Sequence, residues 1–63
     1  MLFRSEANQH EDAVRLLSKA IEIDPKYRRA YELRAQSYEA LGRKDLAEAD
    51  NQRAQQLEQA EAN

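Results

Sequence analysis

An all-α fold is what this sequence predicts, and three observations carry the prediction. Strong helix formers (Ala, Leu, Glu, Gln, Arg and Lys) dominate, while glycine and proline occur once each. Apolar residues recur at three- and four-residue steps, and the β-branched Val14, Ile21 and Ile23 never alternate with polar residues over a strand's length. The single proline and the single glycine, Pro25 and Gly42, fall between the periodic stretches, where helices would have to stop.

The first helix is expected over roughly 9–23. Ala13, Val14, Leu17, Ala20 and Ile21 form one apolar stripe, which Leu16 and Ile23 widen. Asn8 followed by Glu11 resembles a capping box at its start. Pro25 lacks an N–H and pushes Asp24 away from the α region, so this helix ends near Ile23. The same proline is well placed as a first helical residue with Asp24 as N-cap, which predicts a second helix over roughly 26–41. Tyr27, Ala30, Tyr31, Ala35, Tyr38 and Leu41 give that helix a stripe of large and small residues, and Gly42 ends it in the left-handed conformation. A third helix follows over roughly 44–60, with Asp45 and Glu48 at the positive end of its dipole. A short helical remnant is expected before the first helix, within residues 1–7, where Leu2 and Phe3 offer some apolar contact. Connections as short as Asp24–Pro25 and Gly42–Arg43 force sequential helices to pack antiparallel.

Size and charge narrow the class of function. A chain of 63 residues is one small domain, part of a larger one, or a subunit that needs company. With no cysteine, disulfides, thiolate metal sites and thiol catalysis are excluded. Ten basic against twelve acidic residues leave a formal charge of −2, which creates no field for drawing in nucleic acid or an anionic membrane. No apolar run is long enough to span a bilayer and the N-terminal stretch does not read as a signal peptide, so a cytoplasmic location is the default expectation.

The residues just placed resemble the tetratricopeptide repeat (TPR), a helix–turn–helix unit of about 34 residues. Tyr31 and Tyr38 stand at its two aromatic positions in helix A, Ala35 at its small residue, Gly42 at its turn, Ala47 and Ala54 at its helix B alanines, and Pro25 at the closing proline of a preceding unit. The resemblance implies a single module over 1–63, with a partial first repeat in 1–25, a second repeat in 26–59 and a tail in 60–63. Three positions depart from the pattern: Arg34 replaces a leucine, Asn51 an aromatic and Gln59 the closing proline. Val14, Leu17 and Ile21 align with Glu48, Asn51 and Gln55 at the 34-residue offset, so the apolar stripe that would receive a following helix has become polar on the third helix. That helix reads as a terminal cap. The opposite end lacks most of its partner helix. Either the chain is the C-terminal segment of a longer solenoid, or a second copy completes its core through an isologous contact on the Val14, Leu17 and Ile21 side.

What the resemblance implies for function is a scaffold that binds another protein, with helix A side chains lining a groove. Those positions here are Arg29, Glu32, Gln36 and Glu39, which would equally suit a solvated helix face. The alternative is a structural cap or homodimer unit with no foreign ligand. A remoter one is nucleic-acid contact through Lys26, Arg28, Arg29 and Arg34, with Tyr27 and Tyr31 interleaved. A carboxylate clamp is not supported, because Leu33 fills a place that needs a polar group. His10, beside Glu11 and Asp12, is expected as an exposed histidine at a helix start. Ser5, Ser18 and Ser37 have no partner for nucleophilic chemistry, and there is no phosphate-binding loop. No catalysis, cofactor or metal is expected.

Overall fold

Three helices follow one another in the computed structural model, which describes residues 6–62: α1 (Glu6–Ile23), α2 (Arg28–Ala40) and α3 (Lys44–Ala62). α2 lies between the other two and packs against both. Among the described residues no Cα of α1 comes within 8 Å of one in α3.

α1 begins earlier than the sequence predicts. Glu6 sits in its first turn, where a carboxylate suits the helix dipole, and Asn8 and Glu11 are both inside the helix rather than forming a capping box at its start. Nothing between Glu6 and Glu11 breaks a helix, so the propensity of this stretch prevails over the cap signal. The remnant expected within residues 1–7 lies mostly outside the described residues. Its last two, Glu6 and Ala7, belong to α1.

Pro25 is the joint between α1 and α2, but not in the manner expected. Asp24 closes α1, its N–H donating to the Ala20 carbonyl at 2.9 Å, and then opens a turn. The Tyr27 N–H donates to the Asp24 carbonyl at 3.0 Å, and the Asp24 side chain accepts from the Lys26 N–H at 3.1 Å. Aspartate first and proline second is the residue order such a four-residue turn prefers. The turn occupies residues 24–27, so Pro25 is not a first helical residue and Asp24 is not the N-cap of α2. Tyr27 takes the cap position with no side-chain bond. Tyr27 thereby leaves the core stripe and stays exposed.

The α2–α3 turn matches its expectation. Gly42 has φ +78°, the left-handed region. The Arg43 N–H reaches back to the Tyr38 carbonyl at 2.8 Å and the Gly42 N–H to the Glu39 carbonyl at 3.0 Å, the paired bonds of a Schellman motif. α3 starts at Lys44 and continues to Ala62, past the expected end near 60, because Gln59 stands where a proline would have stopped it.

The core is narrow and rich in alanine. Ala30 and Ala35 of α2 and Ala47 and Ala54 of α3 are all buried, and small side chains let packed helices approach closely. Tyr31, Ala54 and Leu57 form the apolar centre, and Ile21 of α1 packs against it. The Tyr31 hydroxyl donates to the Pro25 carbonyl at 3.0 Å, tying the core to the first turn. On α3 the buried positions Ala47, Asp50, Ala54 and Leu57 follow helical spacing, and one of them is an acid.

Candidate functional site

The acid is buried because a basic group from α2 meets it. Arg34 donates from Nε to Oδ2 and from Nη2 to Oδ1 of Asp50, each at 2.7 Å, a bidentate pair of short, charge-assisted bonds. Its remaining Nη1 donates to Ser18 Oγ on α1 at 3.1 Å, so one guanidinium joins all three helices. The guanidinium carbon also lies 5.7 Å from the ring centroids of both Tyr31 and Tyr38. The hydrogen bonds that Asp50 accepts outweigh desolvation and hold the Arg34 pKa above its ordinary value. Ser18 and Ser37 are thereby accounted for: the first accepts from Arg34 and the second is buried in the α2 face.

With Ala30, Tyr31, Ala35 and Ser37 turned inward, α2 presents its other side outward. Arg29, Gln36 and Glu39 are exposed there and Glu32 is half-buried. Glu32 accepts from Arg28 Nη1 at 2.9 Å and from Arg29 Nη1 at 3.1 Å, and Arg28 Nε reaches Glu61 of α3 at 3.1 Å. Three of the four members of the basic cluster, Arg28, Arg29 and Arg34, are therefore held by carboxylates. A phosphate would have to displace those pairs before gaining any counterion-release benefit from them.

Two grooves run beside this face. An apolar one of about 370 Å³ separates α2 from α1 and is lined by His10, Ala13, Leu16, Leu17 and Leu33, with Gln36 and Ser37 at its α2 side. His10 is thus half-buried on a groove wall, not an exposed residue at a helix start, because α1 begins a turn ahead of it. The second groove, polar and about 510 Å³, lies between α2 and α3 and is lined by Arg28, Glu32, Asn51, Ala54, Gln55 and Glu58. The four expected groove residues are therefore on one helix face, with Gln36 bordering the first cleft and Glu32 the second. Val14, Leu17 and Ile21 are half-buried, and Ile21 already belongs to the core. The uncovered apolar side chains of α1 are instead Leu16 and Ile23, the two residues expected to widen the stripe.

A family model described as TPR repeat matches residues 5–42, and a second described as Tetratricopeptide repeat matches residues 29–61. Each covers more than half of the chain. The chain belongs to the tetratricopeptide repeat family. No curated protein and no solved structure matches it significantly. The two matches overlap on α2, the helix that pairs with α1 in one and with α3 in the other. TPR repeats are generally protein–protein interaction modules and not catalysts. Among the described residues no group of acidic or histidine side chains is placed to hold a metal ion, and no helix is long and apolar enough to cross a membrane.

The departures from the TPR pattern become intelligible in the fold. Arg34, in a leucine position, is balanced by Asp50, which no local pattern singled out. Asn51, in an aromatic position, is exposed together with Glu48 and Gln55. An arginine inside an otherwise apolar stripe was the one signal that a buried acid had to exist elsewhere.

Proposed function

We infer that this TPR module binds a peptide or helix of another protein along the outer face of α2, through Arg29, Glu32, Gln36 and Glu39. The observation that carries the reading is the division of α2 into two sides. One is buried and fixes the helix, and the other holds four polar side chains of mixed charge between an apolar cleft and a polar one. Such a surface offers hydrogen-bonding groups on a rigid element, with apolar area beside them, which is what a peptide site needs.

The test is a peptide display library selected on the wild-type chain and counter-screened on Arg29→Glu and Glu39→Arg. Both side chains are exposed, so helical content stays unchanged in each variant. Selected peptides are expected to lose at least about tenfold in affinity, or about 1.4 kcal/mol. Equal binding to both variants contradicts the reading.

A second reading concerns α3. Glu48, Asn51 and Gln55 are polar and exposed on α3, the last two lining the polar groove beside α2, which supports a role for α3 as the capping helix of a repeat array, since a further helix docked there would desolvate those groups without partners. Replacing the three with Val, Leu and Ile then promotes association through α3. A variant that stays as dispersed as wild type argues against the cap.

A further inference from the structure

A third, smaller groove of about 200 Å³ lies between α1 and the C-terminal end of α2, lined by Glu11, Val14, Arg15, Tyr38, Leu41 and Arg43. By helical spacing Tyr38 stands on the side of α2 opposite Arg29 and Gln36. Six arginines are among the described residues. Arg28, Arg29 and Arg34 pair with carboxylates, and Arg53 donates to Gln56. The other two, Arg15 and Arg43, have no side-chain hydrogen bond or ion pair among the described residues, and both line this groove. They come from α1 and from the turn between α2 and α3, so the fold brings the two charges to one place. Tyr38 adds a hydroxyl that bonds to no described residue, and the half-buried Val14 and Leu41 add apolar surface. Glu11 also lines the groove, four residues before Arg15, and forms no ion pair with it. Two guanidinium groups against one carboxylate leave the groove one positive charge.

We propose that this groove takes the side-chain carboxylate of a glutamate or aspartate on a partner protein, with an apolar neighbour of that acid lying on Val14 and Leu41. Arg15 and Arg43 donate to the carboxylate oxygens, one from α1 and one from the turn. Two like charges beside one small groove repel each other while it is empty, and an anion between them relieves that repulsion. The size agrees, since a space of about 200 Å³ holds one side chain and is too small for a drug-sized ligand. Glu11 decides between anions. A phosphate dianion would find the same donors but meet the Glu11 charge with twice the repulsion that a carboxylate does. The contact goes beyond the peptide reading and does not rest on it, because Arg29, Glu32, Gln36 and Glu39 line no part of this groove.

The probe is a pool of short capped peptides with glutamate or aspartate at the centre and Leu, Ile, Val or Phe on either side, titrated into the isotopically labelled chain. Amide shifts are expected at Val14, Arg15, Tyr38, Leu41 and Arg43. They should shrink with added salt and vanish when glutamine or asparagine replaces the central acid. Arg15→Gln and Arg43→Gln should each weaken the tightest member about two- to fivefold, the range of an exposed ion pair, with unchanged helical content. Glu11→Gln should tighten it by a similar factor, because the one like charge in the groove is gone. No shift from any member at millimolar concentration overturns the proposal. So do equal shifts from the amide counterparts, or shifts confined to Arg29, Glu32, Gln36 and Glu39. A central phosphoserine that binds more tightly than the acid overturns the choice of a carboxylate.

Discussion

Arg34 of α2 and Asp50 of α3 face each other through two 2.7 Å hydrogen bonds, and the third arm of the same guanidinium reaches Ser18 of α1. In the TPR pattern a leucine at position 34 would supply apolar contact to this junction. Here a directed ionic contact does so instead, and it specifies which face of α3 meets α2. Removing one partner strands the other. Arg34→Met is expected to destabilise the chain by about 3 kcal/mol, because Asp50 is left buried without its cation. The double change Arg34→Met with Asp50→Leu should recover most of that loss, and a urea double-mutant cycle measures the difference. The raised Arg34 pKa sets the sign of the pH dependence. Its contribution is complete below the ordinary arginine value and is lost only as pH rises past the higher folded value. The stability gap between wild type and Arg34→Met should therefore be constant between about pH 6 and about pH 9, short of the ordinary tyrosine range, because the rings of Tyr31 and Tyr38 lie against the guanidinium.

Tyr31→Phe isolates a single hydrogen bond. The ring remains in the core beside Ala54 and Leu57, while the Pro25 carbonyl loses its donor. A loss of about 1 kcal/mol is expected from the shift in urea midpoint, with no change in slope. An unchanged midpoint would mean that water replaces the hydroxyl without cost.

Gly42→Ala tests the turn. Its backbone has φ +78° and a Cβ there would meet no atom within 4 Å, so the cost is conformational rather than steric crowding. About 1 to 2 kcal/mol of destabilisation is expected, and Gly42→Asn should cost less, since asparagine tolerates the left-handed region. Thermal midpoints of the two variants give the order.

These cases also show which features were legible in the sequence. Gly42 and Pro25 impose local backbone constraints, so the number of helices and the position of both joints follow from the sequence alone. Local rules were weaker at the helix starts. Asn8 and Glu11 resembled a cap, but continuous helix propensity from Glu6 prevailed. Asp24 served the turn at Pro25 rather than capping α2. The Arg34–Asp50 pair was not legible, because sixteen residues separate its members and only the packing of α2 on α3 brings them together. The outer face of α2 followed from helical spacing, whereas the grooves beside it depend on how far α1 and α3 stand away.

Salt provides a check on the basic cluster. Arg28, Arg29 and Arg34 are engaged with Glu32, Glu61 and Asp50. Binding of a single-stranded oligonucleotide in a salt series is expected to be weak and to lack the steep slope of multiple phosphate contacts. A slope corresponding to several released counterions would show that those pairs open for phosphate.

The most direct measurement of the functional reading is a titration of the isotopically labelled chain with a library-selected peptide, followed by amide chemical shifts. Perturbations concentrated at Arg29, Glu32, Gln36 and Glu39, with smaller changes at Asn51 and Gln55 across the polar groove, are what the account predicts. Perturbations centred on Glu48, Asn51 and Gln55, with α2 unaffected, would contradict it.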